Sequence, residues 1–251
     1  MKQTFLSLEK PPLIYLFHPT TTEEAIDLIH LGIDEGAEGF CIQTEFLLPE
    51  YRNSKSYRKI FASMGDRPIY VTNYRHHSNA EANDEQIAKG LLELAGCGAT
   101  LCDVMGDMFK PTSDEMTTDP AAVDKQMKLI EQLHKEGAEV LMSSHVSQYL
   151  TAEQVLAYAL NQQSRGVDIV KIVTKANTME QQLENLRITD LLKNELKVPY
   201  LFLSGGMSEI HRRIGPMLGC CMYLCSLDDT VDPKPVQPMI RRIKMIRDNW
   251  R

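Results

Sequence analysis

The feature that most constrains the fold is an alternation of short apolar runs, rich in β-branched residues, with longer amphipathic segments. It recurs eight times between Leu13 and Asp248. Short strands that alternate with helical segments are typical of βα units around a parallel sheet. Eight such units in 251 residues match the usual size of a TIM barrel. We therefore predict one (β/α)8 TIM-barrel domain over residues 1–251.

The boundaries of these elements follow from the apolar runs and the cap residues. The predicted strands are Leu13–Phe17, Gly39–Ile42, Pro68–Thr72, Ala99–Val104, Glu139–Ser143, Val167–Val173, Tyr200–Leu203 and Cys220–Cys225. The helices that follow them are predicted at Thr22–Glu35, Tyr57–Met64, Glu85–Ala95, Pro120–Lys135, Thr151–Arg165, Thr178–Leu196, Ile210–Pro216 and Val236–Asp248. Thr151 is expected to cap the fifth helix ahead of Glu153.

Charge and apolar content exclude several kinds of partner. The net charge of −7 opposes a surface that binds phosphates, so nucleic acid is not an expected partner. The first residues lack a signal-peptide pattern, and no stretch is apolar enough to span a membrane. The cysteines show no spacing typical of disulfide frameworks or zinc sites. We expect a cytoplasmic protein with reduced thiols.

Lys171 is the polar residue that most clearly interrupts a predicted strand. In the segment VDIVKIV it is flanked by β-branched aliphatic residues. Active sites of TIM barrels lie at the C-terminal ends of the strands. A lysine buried there is desolvated, which favours the neutral, nucleophilic amine. We expect Lys171 to form a Schiff base with a carbonyl substrate; the alternative is a structural pair with a carboxylate.

Three further polar residues follow predicted strands. His145 follows the fifth strand and could transfer a proton beside Lys171. Arg213 follows a Gly-Gly turn after the seventh, and a guanidinium can hold a carboxylate with two hydrogen bonds. Gln237 ends a proline-containing loop after the eighth. Each could instead be an ordinary core, helix or surface residue, and spacing does not choose between Arg212 and Arg213.

The order and spacing of these residues resemble the type I 3-dehydroquinate dehydratases, Schiff-base enzymes of the shikimate and quinate pathways. The family's S-Y-H motif is matched by Ser143-Ser144-His145, and its G-A-D-I-V-K-I strand by Gly166–Ile172. Its S-M-G and S-R-I segments are matched by Ser204–Gly206 and Arg213. Gln237 stands where the family's A-P-G-Q ends. The resemblance covers most of the chain.

The resemblance implies a β-elimination from a cyclic keto acid. Lys171 would form an iminium with the ring ketone, and His145 would remove the proton from the adjacent carbon and help the hydroxyl leave as water. Arg213 and Gln237 would hold the substrate carboxylate. Because the iminium is itself an electron sink, neither a metal nor an organic cofactor is expected. The family also implies a homodimer.

The chain departs from the family where the ring hydroxyls would bind. The family's Glu-x-Arg at the end of the second strand is replaced by Cys41-Ile42-Gln43, and its Thr-x-Arg after the third by Thr72-Asn73-Tyr74. The resemblance therefore implies substitute contacts from Gln43, Tyr74 or Arg75, the last of these only with a local shift of the chain.

The family's glutamate that orients the histidine is also displaced. Its position falls at Ser78, unless an insertion brings Glu81 into place. Without a carboxylate partner, His145 is expected to be a weaker base with a less fixed tautomer. His76 and His77 are adjacent, so their side chains diverge, and we predict no metal site there.

Three functions stay open on the sequence alone. The chain could be a divergent dehydratase acting on 3-dehydroquinate. It could be a Schiff-base lyase for a related keto acid, since a site that loses its hydroxyl partners loses its selectivity for hydroxyls. It could also be a non-catalytic relative that binds a metabolite or partner. A class I aldolase is a further alternative, because it uses a buried barrel lysine too.

Overall fold

A computed structural model describes residues 2–206, 209–227 and 237–249. Within these ranges eight strands alternate with eight α-helices. The strands are β1 Leu13–Phe17, β2 Gly39–Gln43, β3 Ile69–Thr72, β4 Leu101–Met105, β5 Glu139–His145, β6 Ile169–Ala176, β7 Tyr200–Gly206 and β8 Tyr223–Cys225. The helices are α1 Thr22–Asp34, α2 Ser54–Ser63, α3 Asp84–Gly96, α4 Pro120–Lys135, α5 Ala152–Ser164, α6 Met179–Glu195, α7 Glu209–Leu218 and α8 Ile240–Asn249.

The strands form one sheet in the order β7-β6-β5-β4-β3-β2-β1-β8. The pairs from β1 to β4 and from β5 to β7 are parallel. Each strand is followed in the chain by a helix, as parallel connections require. The predicted (β/α)8 TIM-barrel class is confirmed.

Contacts divide the chain into two compact units. The first consists of Met1–Asp103, Gln132–Glu139 and Leu224–Arg251. The second consists of Val104–Glu131 and Val140–Tyr223.

An aromatic cluster forms part of the core of the first unit. The rings of Tyr15 and Phe17 stack with their centroids 5.0 Å apart, and Phe40 meets both edge-on. All three side chains are buried. On the outside of this unit, Arg247 on α8 makes two hydrogen bonds to the carboxylate of Glu38, which ties α8 to the start of β2.

The central strands of the second unit extend further than their apolar runs predict. β5 ends at His145 rather than Ser143, and β6 ends at Ala176 rather than Val173. Parallel pairing continues because backbone hydrogen bonds do not depend on side-chain polarity, and His145 is still in register with Val173. His145 is therefore the last strand residue, not a loop residue.

The predicted start of α5 is confirmed by its cap. The Thr151 side chain accepts a hydrogen bond from Gln154 N, and the Gln154 side chain accepts one from Thr151 N. This reciprocal pair satisfies two backbone donors at the helix start. The last helix, predicted from Val236, begins at Ile240 in the structure; Val236 lies outside the described residues.

In the described ranges, no helix has the length and apolarity needed to cross a membrane. All six cysteines are free in the structure.

Candidate active site

Lys171 lies in the middle of β6. Its side chain is buried, with 5% exposed. On the two neighbouring strands it is in register with Ser143 of β5 and Leu201 of β7. Its backbone nitrogen donates to Oε1 of Gln162 on α5. The ammonium or amine of Lys171 is therefore held in a largely water-free position, on the strand next to the one that ends at His145.

His145 is paired with a carboxylate. Its Nδ1 lies 2.8 Å from Oε2 of Glu115, and its backbone nitrogen donates to the same oxygen over 2.8 Å. The expectation that His145 lacks a carboxylate partner is wrong. The partner comes from the segment between β4 and α4, whereas the family pattern places it after β3. Of the two sequence candidates, Ser78 donates to Leu47 O and Glu81 is exposed.

The carboxylate of Glu115 is ionised. Burial raises its pKa, but the hydrogen bonds from His145 and the positive charge of Lys171 outweigh burial, so the pKa lies below its ordinary value. An ionised carboxylate only accepts hydrogen bonds, so the proton of the neutral imidazole is on Nδ1. This leaves the lone pair on Nε2 of His145, which is the atom able to act as a base.

The loop that carries Glu115 passes very close to β5. Gly106 N donates to Ser143 O over 2.7 Å. A Cβ on Gly106 would lie 2.7 Å from both Glu115 O and Ser144 Oγ. These atoms are themselves hydrogen-bonded, because Ser144 Oγ donates to Glu115 O over 2.7 Å. Glycine is therefore required at position 106 for the loop to reach the end of β5.

Arg165, just after α5, anchors the two ends of this loop. It is 2% exposed. One terminal nitrogen donates to Gly106 O over 2.9 Å, and the other donates to Thr117 O over 2.5 Å and to Asn161 Oδ1 over 2.6 Å. Burial lowers its pKa to about 10, so the guanidinium stays charged at neutral pH. Sequence reasoning missed Arg165, because a charged residue at a helix end ordinarily faces solvent.

The two arginines of α7 differ in burial. Arg212 is 9% exposed, and its Nε donates to Ser204 O at the end of β7 over 2.7 Å. Arg213 is half-buried. Arg212 therefore fastens α7 to β7, while Arg213 is the more accessible guanidinium. The assignment of the substrate carboxylate to Arg213 stays a prediction.

The remaining predicted binding residues belong to the first unit. Tyr74 is buried, and its hydroxyl donates to Asp103 Oδ2 over 2.5 Å. Arg75 makes two hydrogen bonds, of 2.7 and 2.9 Å, to the carboxylate of Asp84. Gln43 ends β2 and is half-buried. Gln237 is half-buried, and its carbonyl oxygen accepts from Ser226 Oγ over 3.1 Å.

The first unit also contains a buried glutamate, Glu45, that the sequence pattern did not indicate. Glu45, just after β2, is 0% exposed and accepts from Thr72 Oγ1 over 2.9 Å. Burial raises its pKa to about 7. His76 Nε2 lies 3.8 Å from Glu45 Oε1. No group of three or more His, Cys, Asp or Glu in the described part of the chain is arranged to hold a metal ion.

Comparison with known proteins supports one family. A curated 3-dehydroquinate dehydratase from Alkaliphilus oremlandii (strain OhILAs) is 31% identical over 113 residues, which is 44% of each protein. The matched stretch thus spans less than half of that relative's length.

Solved structures of similar proteins cover nearly the whole chain. The type I 3-dehydroquinate dehydratase from Clostridium difficile has a TM-score of 0.80 and 16% identity over 99% of this chain and 98% of that one. The enzyme from Geobacillus kaustophilus HTA426 has a TM-score of 0.78 and 15% identity over 97% and 93%. At these identities the likeness establishes the fold alone. A family model described as type I 3-dehydroquinase matches residues 20–248. The chain therefore belongs to the type I 3-dehydroquinase family.

Proposed function

We propose that this chain is a Schiff-base-forming hydro-lyase that eliminates water from 3-dehydroquinate or a close cyclic keto acid. The observation that carries the proposal is the buried Lys171 on β6 beside a strand that ends in His145, whose Nδ1 is bound to Glu115. Family membership supports the dehydratase class. The Clostridium difficile relative was solved with covalently modified comenic acid, which agrees with a covalent step here.

Lys171 would act as the nucleophile. Its neutral amine attacks the ketone carbon, and loss of water from the adduct gives an iminium. Its burial on β6 supports this role because an amine shielded from bulk water can attack a bound carbonyl group. The positive iminium then withdraws electrons from the adjacent carbon, which makes the proton on that carbon more acidic.

His145 would move the protons. Nε2 takes the proton from the adjacent carbon, and the imidazolium then donates it to the departing hydroxyl, which leaves as water. Hydrolysis of the conjugated imine releases the enone acid and restores Lys171. Glu115 supports this role because it holds the Nδ1–H tautomer and stabilises the imidazolium that forms.

We propose that Arg213 holds the substrate carboxylate, as its match to the family motif implies. A guanidinium suits this role because it can donate two parallel hydrogen bonds to a carboxylate. The same proposal includes contacts to the substrate from Gln237, Gln43, Tyr74 and Arg75. Replacing Arg213 with alanine is expected to raise KM more than it lowers kcat, since binding of a remote carboxylate is common to the ground and transition states.

A related keto acid with a different hydroxyl pattern is the second candidate substrate. The observation that favours it is that Tyr74 and Arg75 already have carboxylate partners, Asp103 and Asp84. A phenol and a guanidinium bound in this way have fewer donors left for ring hydroxyls. On this alternative, 3-dehydroquinate gives no enone absorbance, while another ketone is trapped on Lys171.

Borohydride reduction in the presence of 3-dehydroquinate tests the proposal. The reduced adduct is located by intact-mass and peptide analysis, with Lys171→Ala as the negative variant. Lys175→Ala is the matched control, because Lys175 is an exposed lysine of the same strand. We expect an adduct on Lys171 in the wild type and in Lys175→Ala, with rising ultraviolet absorbance from the conjugated product.

The other outcomes separate the alternatives. An adduct without enone formation would indicate a ketone that forms the imine with Lys171 but does not undergo the elimination. The absence of any adduct in folded protein, with 3-dehydroquinate and with a panel of cyclic keto acids, would contradict the proposal. In that case a non-catalytic relative is indicated if Lys171→Ala binds the ligand as the wild type does.

A further inference from the structure

We propose that Tyr158 is a positioning residue for His145. It would act through its hydrogen bond to Asp114, which holds the loop that presents the neighbouring Glu115 to the imidazole. The inference rests on the proposed function for its kinetic consequence, but the arrangement of His145 can be measured without substrate.

The Glu115 loop needs to be held from outside. Glu115 has a φ of 50° and Phe109, in the same loop, has a φ of 71°. Both values lie in the left-handed region that non-glycine residues disfavour. Such conformations persist only where surrounding contacts stabilise them, and they occur often at functional sites. If those contacts are lost, Glu115 is expected to relax away from His145.

One face of α5 and the residue after it provides these contacts. Tyr158, Asn161, Gln162 and Arg165 are spaced at intervals of three and four, so they lie on the same side of the helix. Gln162 donates to Ser144 Oγ and to Lys171 O, each over 3.1 Å. Arg165 binds the carbonyl oxygens at the ends of the loop. Tyr158 is the member of this face that contacts the loop beside Glu115.

The Tyr158 contact is suited to hold an ionised partner. Its hydroxyl donates to Asp114 Oδ2 over 2.5 Å. Burial and the neighbouring Asp114 raise the pKa of Tyr158 to about 12, and the hydrogen bond from Tyr158 lowers the pKa of Asp114. The phenol therefore stays a donor and the carboxylate an acceptor at neutral pH. Hydrogen bonds to charged groups are stronger than neutral ones.

Tyr158 can be changed with little damage to the core. It is half-buried, and Phe retains the ring while removing the hydroxyl. Arg165, in contrast, is a buried charge, and its loss would remove a donor from Gly106 O, Thr117 O and Asn161 Oδ1 together. Tyr149→Phe is the matched control, because Tyr149 is a half-buried tyrosine just ahead of the same helix and outside this contact.

The first measurement is proton–nitrogen NMR of the imidazole of His145 without substrate. In the wild type we expect a single tautomer with the proton on Nδ1. In Tyr158→Phe the signals should move toward a mixture of tautomers, while in Tyr149→Phe they should stay as in the wild type. In turnover, Tyr158→Phe should lower kcat by about ten-fold, as expected for the loss of one hydrogen bond to a charged group, with little change in KM.

A double-mutant cycle tests whether the effect passes through Glu115. In a Glu115→Gln background, Tyr158→Phe should produce no further loss of kcat. An unchanged His145 spectrum in folded Tyr158→Phe, or equal losses in both backgrounds, would overturn the inference. Should Tyr158→Phe fail to fold, Asp114→Asn removes the acceptor charge and carries the same comparison. If the wild type turns over no keto acid, the NMR result still decides whether Tyr158 positions His145.

Discussion

The side-chain amide of Gln162 and the backbone of Lys171 exchange two hydrogen bonds. Lys171 N donates to Gln162 Oε1 over 3.1 Å, and Gln162 Nε2 donates to Lys171 O over 3.1 Å. The same Nε2 also donates to Ser144 Oγ over 3.1 Å. Gln162 is 0% exposed. One buried amide on α5 therefore secures the backbone of the proposed nucleophile and the residue before His145.

Replacing Gln162 with leucine should destabilise the fold. The backbone nitrogen and oxygen of Lys171 would each lose a buried hydrogen bond, so we expect a loss of about 2–4 kcal/mol in the free energy of unfolding. Urea denaturation provides the measurement. Gln163→Leu is the control, because Gln163 lies next along the helix and its side-chain oxygen accepts an exposed hydrogen bond from Lys197 N. Similar losses in both variants would show that the buried bonds add no stability.

The sequence predicts those helices and strands whose buried residues form a clear local pattern of apolar side chains. β1 at Leu13–Phe17 and α4 at Pro120–Lys135 match the structure residue for residue. The C-terminal ends of β5 and β6 are different, because they continue through polar residues. In those segments the strand is maintained by pairing with its neighbour, which apolar periodicity does not reveal.

The hydrogen-bond partners of the site residues could not be predicted from the sequence, because they are distant in the chain. The chain has 34 Asp and Glu residues, and Glu115 is 30 residues from His145. The family pattern directs attention to the segment after β3, where Ser78 and Glu81 lie. Only the path of the loop over Gly106 selects Glu115. The residues next to Glu115 in the sequence do not indicate that its carboxylate binds His145.

Glu115→Gln should reduce turnover without preventing imine formation. Glutamine is similar in shape, but it cannot stabilise an imidazolium as a carboxylate does. We expect kcat to fall by roughly a hundred-fold, within the range of general acid–base contributions. Formation of the enone acid is followed by ultraviolet absorbance. Glu81→Gln should behave as the wild type; if it instead loses activity and Glu115→Gln does not, the assignment of the histidine's partner is wrong.

His211 is expected to make the protein less stable in acid. The residue is 0% exposed on α7, and its Nε2 lies 2.9 Å from Thr189 Oγ1. Burial, with a smaller effect from the charge of Arg212, lowers its pKa from 6.5 to about 4. Between these values the unfolded chain binds the proton and the folded chain does not, so stability falls as the pH falls.

The expected loss through this window is about 1.4 kcal/mol per pH unit, or roughly 3 kcal/mol in all. His211→Gln removes the titrating group. Urea denaturation at pH values above and within the window should show a smaller acid loss for this variant than for the wild type. His30→Gln, at an exposed position of α1, should keep the wild-type dependence. Parallel curves for the wild type and His211→Gln would contradict the assignment.

Glu45 is expected to make the protein less stable as the pH rises, whereas His211 makes it less stable as the pH falls. Burial raises its pKa from 4.5 to about 7 in the folded protein. Between these values the folded chain holds the proton and the unfolded chain does not. The stability contributed by protonated Glu45 is therefore complete below pH 4.5 and is lost as the pH rises through 7. Above neutral pH the fold must contain a buried carboxylate with Asp103 nearby.

Glu45→Gln isolates this contribution. Glutamine can still accept a hydrogen bond from Thr72 Oγ1 but does not ionise. Any pH-independent cost of the buried amide cancels when the stability difference from the wild type is compared across pH. From pH 5 to pH 8 that difference should change in favour of the variant by roughly 3 kcal/mol. Glu50→Gln, at an exposed position after the same strand, should show no such change. A constant difference between the wild type and Glu45→Gln would mean that Glu45 ionises in the folded state as it does in the unfolded chain.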